Sequence, residues 1–362
     1  MNFSNKLFIL LLLLSFSVLN AKGKTRNVIF ITFDGLRWEE VFYGADSLLL
    51  ENNEFTKERK RMLEDYWADT PQVRREKLMP FFWNTINTKG QLYGNLRKGN
   101  VVTLANPYWF SYPGYNEILT GKADDKRITS NDKMNNPNKT VLEIANNTDN
   151  YKGKVAAFGS WDVFPFIINE DRSGVPVNAG FELAKGEDLS EKEVLLNDMQ
   201  PKTPSPWGSV RLDAFTHYYA LEHMKKEHPN LVYVAYGETD DFAHDGEYDA
   251  YLKSANATDA MIQELWHYTQ SDSFYKDKTL FIITTDHGRG TDPITSWKDH
   301  GNKVKNAGDV WMVCFGKGVK PLGEITTSEQ VYTNQIAPTV LKALSLPVDK
   351  QMMPAEALPL SK

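Results

Sequence analysis

Cysteine is nearly absent: the 362-residue chain has one, Cys314. A single thiol excludes an internal disulfide, so the fold has to rest on its core and on any ions it binds. Cys314 lies in the apolar run 310–315 and reads as a core thiol rather than a reactive one. An excess of basic charge is missing too. Lys and Arg number 41 against 47 Asp and Glu, the formal charge is −6, and no Lys/Arg stripe breaks the pattern. That excludes nucleic-acid binding through a broad basic face. Long apolar runs are confined to residues 7–19, and thirteen residues are too few for a membrane span. With Lys6 ahead of that run and Leu19-Asn20-Ala21 behind it, residues 1–21 read as a secretory signal. An exported protein, periplasmic or secreted, with no membrane span after signal removal is therefore expected. Internal repeats are lacking as well.

What is present is enough apolar sequence for a large core: 41% hydrophobic against 24% charged residues. Apolar runs at 27–33, 154–158, 231–236, 279–285 and 310–315 read as strands, the first, near-continuous, as a fully buried parallel one. Helical patterns at 36–43, 80–89, 140–147, 210–226, 248–269 and 328–344 alternate with them. The pattern predicts an α/β fold, a mostly parallel sheet with helices on both faces. Residues 22–362 read as a single domain. Insertions are expected near 44–76, which is rich in charge, and 160–208, which mixes Trp161, Phe164, Phe166 and several prolines with acidic runs. Residues 122–139 form a long polar loop, a length that points to function or to disorder.

Chemistry-bearing residues gather where such a sheet binds ligands, at the carboxyl ends of its strands. Asp34-Gly35 ends the first strand. Asp240 and His244 follow the strand at 231–236, in Gly237-Glu238-Thr239-Asp240-Asp241-Phe242-Ala243-His244. Asp286-His287-Gly288 ends the strand at 279–285, and His300-Gly301 lies in the loop before the last strand. Carboxylate oxygen and neutral imidazole nitrogen suit Zn²⁺ and similar divalent ions. Ser111 stands between the extended run 101–104 and a short helix ending near Gly121, with Pro113 in its first turn. A hydroxyl at a helix start lies among unpaired N–H groups that favour an anionic oxygen and an incoming phosphate. His217, His223, His228 and His267 fall on helices or their ends and are assigned no chemistry.

In this order the motifs resemble the alkaline phosphatase superfamily, closest to its type I phosphodiesterase and nucleotide pyrophosphatase branch. They are Asp-Gly after strand one, a hydroxyl two residues before Pro, Asp-x-x-x-His, Asp-His-Gly and a late His-Gly. The likeness spans about residues 27–345. It implies two divalent ions, expected to be zinc, one held by Asp240, His244 and His300 and the other by Asp34, Asp286 and His287 with Ser111 beside it. It also implies a phosphate-contacting Asn about twenty residues past the nucleophile. Asn131 fits, with Asn135 and Asn136 as rivals. Two departures stand out: Ser111 where the branch usually has Thr, and Pro113-Gly114-Tyr115 where it commonly has Pro-Asn-His.

The implied activity is hydrolysis of a small phosphate ester, mono- or diester, through a phosphoseryl intermediate at Ser111. Asn131 and the Tyr112 N–H would hold the non-bridging oxygens. Lys126, Arg127 and Lys133 are candidates to compensate a monoester's extra charge. Trp109, Tyr115, Trp161 and Phe164 are candidates to line a groove for a diester's second group. Other readings are a sulfatase or phosphonate hydrolase of the same fold, a phosphomutase, or a non-catalytic ligand-binding relative. Ser111-Tyr112-Pro113-Gly114-Tyr115 lacks the Arg of a formylglycine motif, and an export signal argues against a phosphomutase.

Overall fold

The computed structural model describes residues 24–361, so the expected signal at 1–21 lies outside the described residues. The strands are β1 (Asn27–Phe33), β2 (Gly90–Tyr93), β3 (Val101–Thr103), β4 (Val155–Gly159), β5 (Val177–Ala179) and β6 (Leu231–Tyr236). They continue with β7 (Thr279–Thr285), β8 (Met312–Gly316), β9 (Gly323–Glu324) and β10 (Gln330–Tyr332). Eight of them form one sheet in the order β5-β4-β6-β1-β7-β8-β2-β9. The run from β5 to β7 is parallel, whereas β8 is antiparallel to both β7 and β2.

β1 is buried along its whole length, which is why it reads as an unbroken apolar run. Its alternate side chains enter two cores. Ile29, Ile31 and Phe33 pack on one face with Val232, Val234, Phe281 and Ile283. Val28 and Phe30 pack on the other with Tyr233, Leu280, Ile282 and Cys314. Cys314 is fully buried, and burial pushes its thiol up to about 12, so it stays protonated and inert.

Register decides what meets at the sheet edge. Phe33 lies level with Tyr236 on one side and Thr285 on the other. The next residues, Asp34, Gly237 and Asp286, therefore emerge side by side.

Three segments depart from expectation. Val101–Thr103 is extended but pairs with β10 in a separate two-stranded sheet. Gln330–Tyr332 is that partner strand, so the closing helix is Ile336–Ala343 rather than 328–344. Within 160–208, Val177–Ala179 joins the main sheet as its edge strand. The stretch 44–76 carries the helices Ser47–Glu51 and Arg59–Tyr66 and most of Pro71–Leu78. Among the described residues no helix is long and apolar enough to cross a membrane.

Candidate metal centre

Six Asp and His side chains converge at the carboxyl edge of β1, β6 and β7. Asp34 and Asp286 leave adjacent strands, and the next residue, His287, brings its Nε2 to 3.2 Å from Asp34 Oδ1 and 3.5 Å from Asp286 Oδ2. All three are buried. Asp240 and His244 lie one turn apart on the helix Glu238–His244, with Asp240 Oδ2 3.2 Å from His244 Nε2. His300 Nε2 is 3.0 Å from His244 Nε2, and its ring stacks 3.9 Å from that of His287. Asp240 joins the two groups, its Oδ1 being 3.5 Å from His287 Nε2 and 3.7 Å from His300 Nε2.

The donor set fits a pair of divalent cations. His287 Nδ1 lies 3.0 Å from the Gly288 carbonyl and can only donate to it, which leaves Nε2 a lone pair in the neutral ring. That lone pair faces carboxylate oxygens, an arrangement of acceptors that a cation resolves. Asp34 Oδ1, Asp286 Oδ2 and His300 Nδ1 are buried without a hydrogen-bond partner. Burial and then the neighbouring Asp240 charge raise the Asp34 carboxyl above its ordinary value. Burial and then Asp34 push Asp286 up further. Burial and then His287 hold His300 well below the usual imidazole range. For Asp240 the upward pull of burial is outweighed by the Arg289 guanidinium, then by His244, and its carboxyl is held low. Bound cations would remove the repulsion among these carboxylates.

Ser111 is the first residue of the helix Ser111–Thr120, whose preceding cap position is Phe110. Its Oγ lies 3.5 Å from His287 Nε2. Gly114 lets this helix come close: a Cβ there would sit 2.2 Å from the Asp286 carbonyl oxygen. Glu117, one turn further, is buried and accepts the Ala105 and Asn106 N–H groups, the Asn106 amide and the Thr333 hydroxyl. Those bonds fix the loop that leads into Ser111. Trp109, two residues before the serine, takes a left-handed φ of 53°.

Asn131 lies beside the serine. Its Oδ1 accepts the Tyr112 N–H at 2.9 Å, so that N–H does not face the phosphate position as expected. The rival Asn136 is fully buried and holds Asn116 and the Ile167 carbonyl, while Asn135, exposed like Asn131, has no bond of this kind to the Ser111 helix among the described residues. Tyr115 does not line a groove. It is fully buried, and its hydroxyl donates to Asp34 Oδ2 at 2.9 Å. Phe164 is buried against it. Trp109 and Trp161 remain half-buried. Of the loop cations, Arg127 is engaged with Asp124 and Asn138, and Lys133 with Asp162 at 2.7 Å.

Sequence reasoning missed three supporting groups. Tyr115 is one. Asp213 is another: it accepts the Gly237 and Glu238 N–H groups and so anchors the start of the helix that bears Asp240. Arg289 is the third, bonded to the Asp240 carboxylate, with its Nε donating to the Gly35 carbonyl at 3.1 Å. Its place two residues after His287 is the only sequence signal that pointed to it.

Residues 210–348 match the family model described as the Metalloenzyme superfamily. Similar curated proteins include two 2,3-bisphosphoglycerate-independent phosphoglycerate mutases. That of Aliarcobacter butzleri is 22% identical over 344 residues, covering 87% of this chain and 61% of the mutase. That of Mycoplasmoides gallisepticum is 25% identical, covering 86% of this chain and 52% of the mutase. The chain thus spans between about half and three-fifths of these relatives' length. Among solved structures, alkaline phosphatase PafA aligns with a TM-score of 0.57 at 10% identity, over 94% of this chain and 99% of that one. The lipoteichoic acid synthase LtaP of Listeria monocytogenes aligns at 0.58 and 12%, over 93% and 79%. The phosphonate monoester hydrolase SpPMH of Silicibacter pomeroyi aligns at 0.53 and 14%, over 92% and 76%. At such identities the likeness is one of fold. These matches agree with the fold expected from the motifs and show no preference for a nucleotide pyrophosphatase branch.

Proposed function

We propose that this chain, with an alkaline-phosphatase-like fold and a Metalloenzyme-superfamily segment, is an exported, metal-dependent hydrolase of small phosphate esters that acts through Ser111. The observation that carries the reading is the placing of Ser111 Oγ, at a helix start, 3.5 Å from His287 Nε2 and beside two abutting Asp/His clusters. Asp34, Asp286 and His287 would hold one divalent ion and Asp240, His244 and His300 the other, with zinc the ion this donor set suits. Such ions, when bound, supply charge compensation at the attacking and leaving oxygens.

The chain's own groups do the rest. The Ser111 Oγ–phosphorus bond forms as the ester P–O bond breaks and the alcohol departs. Water then cleaves the phosphoserine, releasing the phosphate product and restoring the hydroxyl. Asn131, its Oδ1 committed to Tyr112, offers its amide N–H₂ to a non-bridging oxygen.

We favour a diester as substrate. A monoester carries an additional negative charge, and two of the three loop cations that could compensate it, Arg127 and Lys133, are paired with Asp124 and Asp162, which leaves the exposed Lys126. Transfer to a second hydroxyl in place of water is the rival outcome, and the phosphomutase names of the curated relatives are its specific support.

The test is a comparison of rates on p-nitrophenyl phosphate, bis-p-nitrophenyl phosphate and p-nitrophenyl sulfate, with zinc and manganese added in turn. The diester should react fastest and the sulfate slowest. Ser111→Ala should abolish turnover while leaving bound metal close to wild type. Substantial activity in that variant, or a sulfate preference, would overturn the proposal.

A further inference from the structure

The two ligand clusters differ in ways that bear on how firmly each would hold a cation. Asp34, Asp286 and His287 are all buried and bring two carboxylates. Asp240, His244 and His300 bring one carboxylate and two imidazoles, and the His244 side chain is 43% exposed. Their single carboxylate is also shared. Arg289, 1% exposed, bonds Asp240 Oδ1 and donates to the Asp240 backbone carbonyl at 3.0 Å. One Asp240 oxygen and much of its charge are thus committed to a fixed guanidinium, and Oδ2, on the His244 side, is left for an ion.

Arg289 reaches further. Its Nε holds the Gly35 carbonyl at 3.1 Å, and its Nη1 holds the Lys298 carbonyl at 2.6 Å. Gly35 adjoins Asp34, and Lys298 lies two residues before His300. A single buried cation therefore fastens the loops carrying ligands of both clusters and lowers the negative charge of only one.

We infer that the two cation subsites are unequal: the Asp34–Asp286–His287 subsite keeps its ion, while the Asp240–His244–His300 subsite exchanges its ion with solution because Arg289 has already drawn on Asp240. This rests on the metal-dependent reading above and assigns its regulation. Activity follows the free divalent-ion concentration through the more exposed subsite alone. Arg289 is a positioning residue in this scheme, acting through Asp240.

The experiment is a zinc titration of chelator-stripped protein against a chromophoric competitor, a readout independent of turnover. Wild type should show two steps separated by at least about tenfold in affinity. His244→Ala should remove the weaker step, and Asp286→Asn the tighter. Arg289→Met should tighten the weaker step, whereas Arg289→Lys, which keeps the charge, should not. Two equal steps, or loss of the tighter step in His244→Ala, would overturn the inference. So would an Arg289→Met variant with unaltered spacing; if that variant does not fold, the His244→Ala result decides. Unequal steps in a protein that turns over no ester would uphold this inference and defeat the hydrolase reading. Equal steps in an active enzyme would do the reverse.

Discussion

Tyr115 shows how a contact can reverse the reading of a residue. Beside Ser111 in sequence, with Trp109 and Phe110 upstream, it passes for a groove aromatic. Folded, its ring is buried and its hydroxyl serves Asp34. The six Asp and His were legible because strand ends in a parallel sheet are where ligands collect, and each stands in a short motif at such an end. Tyr115, Asp213 and Arg289 were not, because what they do depends on partners that only the fold brings near. Hydrogen bonds to ligating carboxylates typically tune metal affinity by about 10–100-fold. Tyr115→Phe should accordingly weaken zinc binding at the buried subsite by about tenfold, measured by chelator competition. Its cost to the stability of the metal-free fold should be about 1 kcal/mol in urea unfolding. Unchanged zinc affinity would show that the hydroxyl does not orient Asp34.

Among the elements, the helix Ser111–Thr120 depends on Gly114 for its approach to β7. Gly114→Ala would place a methyl group 2.2 Å from the Asp286 carbonyl oxygen, so helix or strand must shift. Overpacking of this kind costs about 1–3 kcal/mol. A displacement of about 1 Å at a reacting group costs on the order of 100-fold in rate. Thermal unfolding and ester turnover measured together should show both losses. Full activity would mean that the close approach does not set the position of Ser111.

β1, β6 and β7 were legible from the sequence because strands buried on both faces are continuous apolar runs. β2, β5, β9 and β10 were not, being two to four residues long and defined by partners far away in the chain. The same distance hides the role of Asp259, which is fully buried and accepts the Phe81 and Phe82 N–H groups at the start of the segment Phe82–Ile86. Burial raises its carboxyl from 3.8 to about 7. A raised carboxyl stabilises the fold fully below its unfolded value and loses that contribution as pH rises through the folded one. Stability should therefore fall between about pH 4 and 7. The loss should be a few kcal/mol at most, since each tenfold change in proton affinity is worth about 1.4 kcal/mol. Asp259→Asn should remove this part of the slope in urea denaturation. Identical slopes in the two proteins would contradict it.

Across the whole molecule, the register of three parallel strands helps bring candidate ligands from four separate segments into one centre. Two opposed cores hold the sheet rigid beneath it. The buried Asp34 and Asp286 repel each other and leave oxygens without partners, an arrangement that makes sense as a place for cations. The claim on which the rest depends is that a pair of ions fills it. Anomalous diffraction from crystals equilibrated with zinc tests this most directly. Two peaks per chain are predicted, one among Asp34, Asp286 and His287 beside Ser111 Oγ and one among Asp240, His244 and His300. An absence of peaks there, or zinc bound only elsewhere on the surface, would contradict the account.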